Sequence, residues 1–165
     1  EFLESYNKNI AKNYQIVSEK FEIVAHSIFE NIIESENVHK LMQEAYTDKK
    51  DLARAKLYNL LKVKYEQLHK YDVRQLHFHL KNNESFLRFH RPEKYGDDLS
   101  AARATVAWVN ANREKIQGFE EGKIYNGFRY VFPLNYINKN NITNLTRMLH
   151  LCYKNASLSF FYDDC

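Results

Sequence analysis

Histidine side chains that could bind a ligand are concentrated in the stretch QLHFHLKNNESFLRFHRP, residues 75–92. His77 and His79 are two residues apart, and residues with that spacing on a strand point to the same face of a sheet. A neighbouring strand would bring His90 to that face. Three imidazoles together can bind a metal such as zinc. His77, His79 and His90 are therefore a candidate metal site, with hydrogen-bonded structural histidines as the alternative, since no HExxH or CxxC spacing accompanies them.

Arginines near these histidines indicate a second kind of chemistry, the binding of a small anion or carboxylate. The arginines, with one tyrosine, are Arg88, Arg91, Arg103, Arg129 and Tyr125. A guanidinium group binds a carboxylate through two hydrogen bonds, and aromatic walls exclude competing water. The alternative is that these arginines pair with neighbouring carboxylates and only stabilise the domain. Those carboxylates are Glu84, Glu93, Asp97, Asp98, Glu120 and Glu121.

Catalytic motifs do not occur in the sequence. There is no GxSxG and no glycine-rich loop for phosphates, and the chain contains only 4 glycines. Asp97 and Asp98 are adjacent carboxylates before a predicted helix, where capping is the usual role and acid/base chemistry the alternative. We therefore predict that this part of the protein is not an enzyme and holds no cofactor.

Two antiparallel strands are predicted to position the histidines. In residues 75–80 and 86–91 apolar and polar side chains alternate, which is the period of a strand. The intervening LysAsnAsnGlu suits a hairpin turn, because Asn tolerates a positive φ. In the second strand Phe86, Arg88 and His90 are expected to share one face.

The residues before this hairpin are predicted to be helical. Helices are expected over residues 3–35, 38–46 and 49–70, the last with Asp48 as its N-cap. In the first, apolar residues recur with heptad spacing, which is typical either of a bundle helix or of a stalk that forms a dimer seam. The heptad residues are Leu3, Asn7, Ile10, Tyr14, Val17, Phe21, Val24 and Ile28.

The residues after the hairpin are predicted to complete a mixed domain. We expect a helix over residues 99–112 capped by Asp97, Asp98 or Ser100, a turn at 118–122, and a strand over 125–136 with a bulge or close backbone approach at Gly127. A short helix over 142–153 and a closing strand over 157–162 are predicted for the remainder. Helices followed by strands favour an α+β domain with an antiparallel sheet.

Composition limits the class of protein. The chain has 165 residues, 44% of them hydrophobic and 15% aromatic, which indicates one globular folding unit. Its 24 basic and 21 acidic residues give a net charge of +3 without a Lys/Arg block, so we expect no nucleic-acid partner. There is no apolar run long enough for a membrane span and no signal-peptide pattern. Cys152 and Cys165 permit a disulfide without indicating one.

The chain resembles the extracytoplasmic double-Cache (PAS-like) sensor domains of bacterial membrane receptors, which occur on diguanylate cyclases, sensor histidine kinases and chemoreceptors. The resemblance covers roughly residues 71–134 and rests on four segments in order. These are FHL, SFLRFHRPEKYGDDLS, GFEEG and YNGFR. Each segment is short, and their combination is what is specific.

The resemblance implies a helical stalk over residues 1–70 that rises from a membrane span outside this sequence, and a PAS-like sensor module over residues 71–165. It implies a periplasmic location and a small-molecule ligand, and the heptad spacing of the first helix adds the expectation of a homodimer through that helix. Its motif positions are Arg88, His90, Asp97, Asp98, Glu120, Tyr125 and Arg129. We take Arg88, His90, Asp98, Tyr125, Arg129 and His79 as the predicted ligand-binding residues. The tail after residue 137 departs from the family pattern.

Overall fold

The fold is an α+β arrangement, as the sequence predicts. The computed structural model describes residues 2–120, 127–134 and 147–154. The helices are α1 (Phe2–Ile28), a π-helical turn (Phe29–Ile33), α2 (Glu36–Glu44), α3 (Lys50–His69) and α4 (Ala104–Asn112). The strands are β1 (Val73–His79), β2 (Ser85–Arg88), β3 (Ile116–Glu120), β4 (Gly127–Leu134) and β5 (Arg147–Lys154).

The five strands form one sheet in the order β2-β1-β5-β4-β3, and every neighbouring pair is antiparallel. The helix predicted over residues 142–153 is wrong for the described part of that range, because β5 is a strand. Its sequence RMLHLCYK contains several good helix formers, but β5 lies between β1 and β4 and exchanges backbone hydrogen bonds with both. Tertiary pairing therefore outweighs the local preference. The strand predicted over 157–162 lies outside the described residues.

The hairpin of β3 and β4 differs from its prediction in two respects. Residues 118–120 belong to β3 and not to a turn, since Gly118 pairs with Arg129 and Glu120 with Gly127. The ladder is one-to-one over this range, so the predicted bulge at Gly127 is wrong. The irregularities in the described sheet lie instead along β1, where the register with β5 shifts between Val73 and Gln75 and the register with β2 shifts between Phe78 and His79.

One face of the sheet packs against α1, α2 and α3 in a single apolar core. Alternation along β4 turns Phe128, Tyr130 and Phe132 toward this core, and Phe78 joins them from β1. The described core residues are Ala25, Ile28, Ile33, Val38, Met42, Ala45, Ala53, Leu57, Leu61, Val73, Leu76, Phe78, Leu80, Phe86, Leu87, Phe89, Phe128, Tyr130, Phe132 and Leu134.

The heptad stripe of α1 is used in part within the chain. Val17, Phe21 and Val24 pack against the core, and the Phe21 and Phe128 rings are 5.5 Å apart. Toward the N-terminus the same stripe becomes exposed, and Leu3 is 71% exposed. The helix ends earlier than predicted, at Ile28, where the π-helical turn places Phe29 in a stack 4.6 Å from Phe132.

Two predicted helix caps are wrong. Helix α3 begins after Lys49, which provides no side-chain cap, so Asp48 is not the N-cap. Helix α4 begins at Ala104 after Arg103, which also gives no side-chain cap. Asp98 instead accepts hydrogen bonds from the backbone N and Oγ of Ser100, at 2.9 and 2.7 Å. These bonds lie beside a turn that precedes α4, in which the Arg103 backbone N donates to the Leu99 carbonyl oxygen at 2.8 Å.

Within the described ranges, no helix combines the length and the apolar character needed to cross a bilayer.

Tyr130 joins the sheet to α1 through its hydroxyl, which donates a 2.9 Å hydrogen bond to the Ser18 carbonyl oxygen. Burial raises the pKa of Tyr130 to about 12. We expect Tyr130→Phe to lower the free energy of unfolding by about 1 kcal/mol, the net value of one such bond. Urea unfolding followed by circular dichroism measures the change. Tyr14→Phe is the control, since the Tyr14 side chain is 41% exposed, and an equal loss in both variants would contradict the assignment.

Candidate ligand-binding face

The sheet face opposite the three-helix core carries buried polar side chains. Alternation along β1 and β4 turns His77, His79 and Arg129 away from that core, and Arg88 on β2 lies opposite His77. Their exposed fractions are 5% for His77, 0% for His79, 8% for Arg88 and 2% for Arg129. Buried polar groups are costly unless they have partners, so a sheet face of this composition marks either a polar network or a binding site.

A second apolar cluster covers this face beside the polar residues. Val131 of β4 packs against Leu99 and against Val106 and Val109 of α4. Asn110 anchors α4 further by donating hydrogen bonds to the Leu80 carbonyl oxygen at 3.2 Å and to Asn83 Oδ1 at 2.6 Å. Helix α4 and the segment before it therefore cover part of the polar face.

The three histidines do come together, as the strand spacing predicts. The His77 and His79 rings have centroids 3.9 Å apart, and the His77 and His90 rings are 6.4 Å apart. His77 Nε2 shares a 2.8 Å hydrogen bond with Ser85 Oγ. The Nδ1 atom of His90 is buried and has no hydrogen-bond partner among the described residues.

Burial and positive neighbours keep two of the imidazoles neutral. Burial, followed by the charges of Arg88 and Arg103, lowers the pKa of His79 to about 3. Burial, followed by Arg88, Arg91 and Arg103, lowers the pKa of His90 to about 4. Both rings are therefore uncharged at neutral pH, and each can donate from one nitrogen and accept at the other.

The histidine cluster is not arranged as a metal centre. No group of three or more His, Cys, Asp or Glu residues in the described part of the chain is placed to hold a metal ion. One nitrogen of His77 is already engaged by Ser85, and the 6.4 Å separation places His90 away from the tight pair.

Arg88, the central predicted ligand-binding residue, is held by the protein itself. Its guanidinium donates to both carboxylate oxygens of Asp97, at 2.7 and 2.8 Å, and to the Lys94 carbonyl oxygen at 2.7 Å. The Arg88 bond is the largest cause of the lowered pKa of Asp97. Arg88 therefore fastens the segment after β2 to the sheet.

The same segment is fixed by contacts along its length. Gly96 adopts a positive φ of 84° and donates to the Ser85 carbonyl oxygen at 2.8 Å. A positive φ is readily accessible to glycine and costly for other residues. The Arg54 guanidinium of α3 lies 3.7 Å from the centre of the Tyr95 ring. Much of the sequence RPEKYGDD thus has a structural role.

The other predicted ligand-binding residues occupy different environments. His79 and Arg129 are buried on the polar face, and His90 is half-buried beside them. Asp98 is exposed and bound to Ser100, with a lowered pKa whose main cause is that bond. Tyr125 lies outside the described residues.

The sequence reasoning named Asp97 as one of several carboxylates that could pair with the arginines, and the structure selects it as the partner of Arg88. The reasoning missed Ser85, which is the partner of His77. The register shift at the end of β1 explains this omission: His79 pairs with Ser85, which leaves Phe86 as an extra residue that packs with the helices. Phe86 therefore does not share a face with Arg88. The adjacent carboxylates Asp97 and Asp98 were the available signal for a clamp.

Comparison with solved structures supports the fold. A domain of a protein assigned to the sensory box/GGDEF family from Vibrio parahaemolyticus matches with a TM-score of 0.56 and 14% identity, covering 91% of this chain and 58% of that one. The extracellular domain of a protein named as histidine kinase vpHK1S-Z8 matches with a TM-score of 0.54 and 14% identity, covering 91% and 55%. The chain thus spans a little over half the length of these relatives.

Sequence comparison identifies the family. No curated protein sequence matches the chain. Residues 4–136 match the family described as the double sensory domain of two-component sensor kinases. This range includes the histidine hairpin, the Arg88 clamp and β4. The chain belongs to this double-Cache family of sensory domains.

Proposed function

We propose that the chain is the periplasmic ligand-sensing part of a bacterial transmembrane receptor, and that its ligand binds at the polar face of the sheet. The observation that carries this proposal is the burial of His77, His79, Arg88 and Arg129 on one face, between the strands and the α4 side. Buried polar groups cost free energy unless they have partners, so four of them on one face support a role for this face beyond apolar packing.

The predicted ligand-binding residues have separate roles in this proposal. His79, His90 and Arg129 contact the ligand, which is a small anion or carboxylate, with Tyr125 as a further predicted contact. Arg88 supports the site from its clamp with Asp97. Asp98 shapes the segment at the rim of the site through its bonds to Ser100.

Strand β4 offers a direct route from the ligand to α1. Arg129 lies on the ligand face, and the next residue, Tyr130, binds the Ser18 carbonyl oxygen of α1 from the opposite face. A ligand that shifts β4 would change the position of α1, favouring one of two helix packings in a homodimer. Membrane spans and an output domain, such as a kinase or diguanylate cyclase, would lie outside this chain, and the sensing part itself would have no enzymatic activity.

The alternative function is a structural or dimerisation domain without a ligand. The bidentate ion pair of Arg88 with Asp97 favours this alternative, because it gives at least one of the buried arginines a structural role. The exposed N-terminal part of the α1 stripe is compatible with either function.

A thermal-shift screen separates the two functions. We expect one member of a panel of small carboxylates, amino acids, amines and neutral polyols to raise the melting temperature by about 5 °C or more near saturation, since binding to the folded state alone adds roughly 2.7 kcal/mol at 100 times Kd. Arg129→Met and His90→Gln are expected to reduce the shift. His69→Gln, an exposed histidine at the end of α3, is the control and keeps it.

The ligand-sensing proposal fails if no compound changes the melting temperature. It also fails if the shift is the same in His90→Gln as in the unmodified chain. His90→Gln carries this test because His90 is only half-buried, whereas loss of the fully buried Arg129 also threatens the fold.

A further inference from the structure

His90 lies near charged side chains from several parts of the chain. His77 of β1 and Arg88 of β2 lie on its sheet side. Charges acting on His90 come from Arg88, Arg91, Glu93 and Arg103. Three of these four residues are cationic.

Other titratable residues belong to the strands of this face or to the segment after β2. Asp97 pairs with Arg88 and acts on His79, and Arg129 comes from β4. Strand β5 places His150 opposite His77 in the backbone register, and Cys152 opposite Arg129.

His90 is distinguished from His77 and His79 by its accessibility. His79 is 0% exposed and His77 is 5% exposed, whereas His90 is half-buried and can exchange protons with solvent. Its Nδ1 is buried without a hydrogen-bond partner among the described residues. A protonated imidazole donates from both nitrogens, so an acceptor brought to this nitrogen would stabilise the protonated ring.

We propose that anion binding at the polar face is coupled to the uptake of one proton by His90, so that the affinity of the sensor for its ligand rises as the pH falls. This inference rests on the proposed function, since it concerns the same site. It adds a regulation: the domain responds to ligand and acidity together.

The physical basis is the positive potential of the arginines. That potential favours an anion and disfavours a charged imidazole. Burial is the largest cause of the lowered His90 pKa, and the arginine charges lower it further. A bound anion offsets the potential and offers an acceptor to the imidazole. In the binding step the anion binds from solution and neutral His90 takes up one proton from solvent. The product is a bound anion beside the His90 imidazolium, and no covalent bond forms between the protein and the anion.

Calorimetry of the 165-residue chain tests the coupling. The probes are pyruvate, oxalate and inorganic sulfate, which stay ionised over the range, with the neutral amide of pyruvate as the matched control. Titrations at pH 7 and pH 5 give the affinities. Titrations at pH 6 in two carboxylate-free buffers of different ionisation enthalpy give the number of protons taken up.

We expect an anionic probe to bind at least about tenfold more tightly at pH 5 than at pH 7, with uptake approaching one proton, because linkage allows up to about tenfold per pH unit for one group. The neutral amide is expected to show neither effect. In His90→Gln the anion is expected to bind more weakly, without proton uptake and without pH dependence, whereas His69→Gln behaves as the unmodified chain. Far-UV circular dichroism at each pH shows that the fold persists.

Binding without proton uptake, or proton uptake that persists in His90→Gln, overturns the inference. Absence of binding by every anionic probe also overturns it. If the thermal-shift screen finds a neutral or cationic ligand whose effect depends on His90, the sensing function stands and only the proton coupling fails. If that screen finds nothing, both fail together.

Discussion

Acidification from pH 7 to pH 5 is expected to lower the free energy of unfolding by about 2 kcal/mol through His79 alone. The folded protein holds the pKa of His79 at about 3 because the ring is fully buried and lies near Arg88 and Arg103. In the unfolded chain the ring has an ordinary pKa near 6.5 and takes up a proton below that value. The unfolded state therefore binds more protons, and stability is lost as the pH falls.

The histidines and the carboxylates lower the free energy of unfolding over different pH ranges, so their effects can be separated. Glu22, Asp97 and Asp98 have lowered pKa values, so the stability that they contribute is present above about pH 4 and is lost below it. The histidine effect begins at about pH 6.5. His90, with a pKa of about 4, is expected to add a nearly equal slope between pH 7 and pH 5, because its folded pKa also lies below this range.

Urea unfolding at several values between pH 7 and pH 5 measures the slope. We expect His79→Asn to be less stable than the unmodified chain at pH 7. Its free energy of unfolding is expected to depend less on pH, with a slope that is smaller by up to about 1.4 kcal/mol per pH unit. His69→Gln keeps the full slope, since that side chain is exposed. An unchanged slope in His79→Asn would show that the ring is charged or accessible in the folded state.

The elements with strong local periodicity could be predicted from the sequence. Alternation in residues 75–80 and 86–91 located the hairpin, and the observed φ of 64° at Asn83 is the turn geometry that Asn tolerates. The heptad spacing located α1 in the same way. In each case residues close in the chain determine which face is buried.

The elements that depend on distant partners could not be predicted. Strand β5 exists because two ladders enclose it, and nothing within RMLHLCYK specifies those ladders. The choice of Asp97 over Asp98 for Arg88 depends on the backbone of Gly96 and on the Ser85 contacts that fix it. Sequence reasoning found the residues of the polar face, whereas the structural role of Arg88 became clear only from its geometry.

Loss of the Asp97 carboxylate is expected to lower the free energy of unfolding by about 3 kcal/mol, because it would leave a buried guanidinium without its ion partner. Arg88 is 8% exposed, and Asp97 accepts two of its hydrogen bonds. The change is Asp97→Ala, measured by urea unfolding at pH 7. Asp98→Ala is the matched control: it is adjacent and exposed, and its loss of the Ser100 bonds is expected to lower stability less than the loss of the Asp97 carboxylate does.

A double-mutant cycle with Arg88→Met shows whether the two residues act as a unit. Replacing both charges removes the uncompensated guanidinium, so the double variant should be at least about 1.5 kcal/mol more stable than the sum of the single losses predicts. Additive losses would mean that Arg88 finds another partner when Asp97 is absent. That result would return Arg88 to the ligand-contacting group, because a guanidinium that can leave its carboxylate is able to bind a ligand carboxylate in its place.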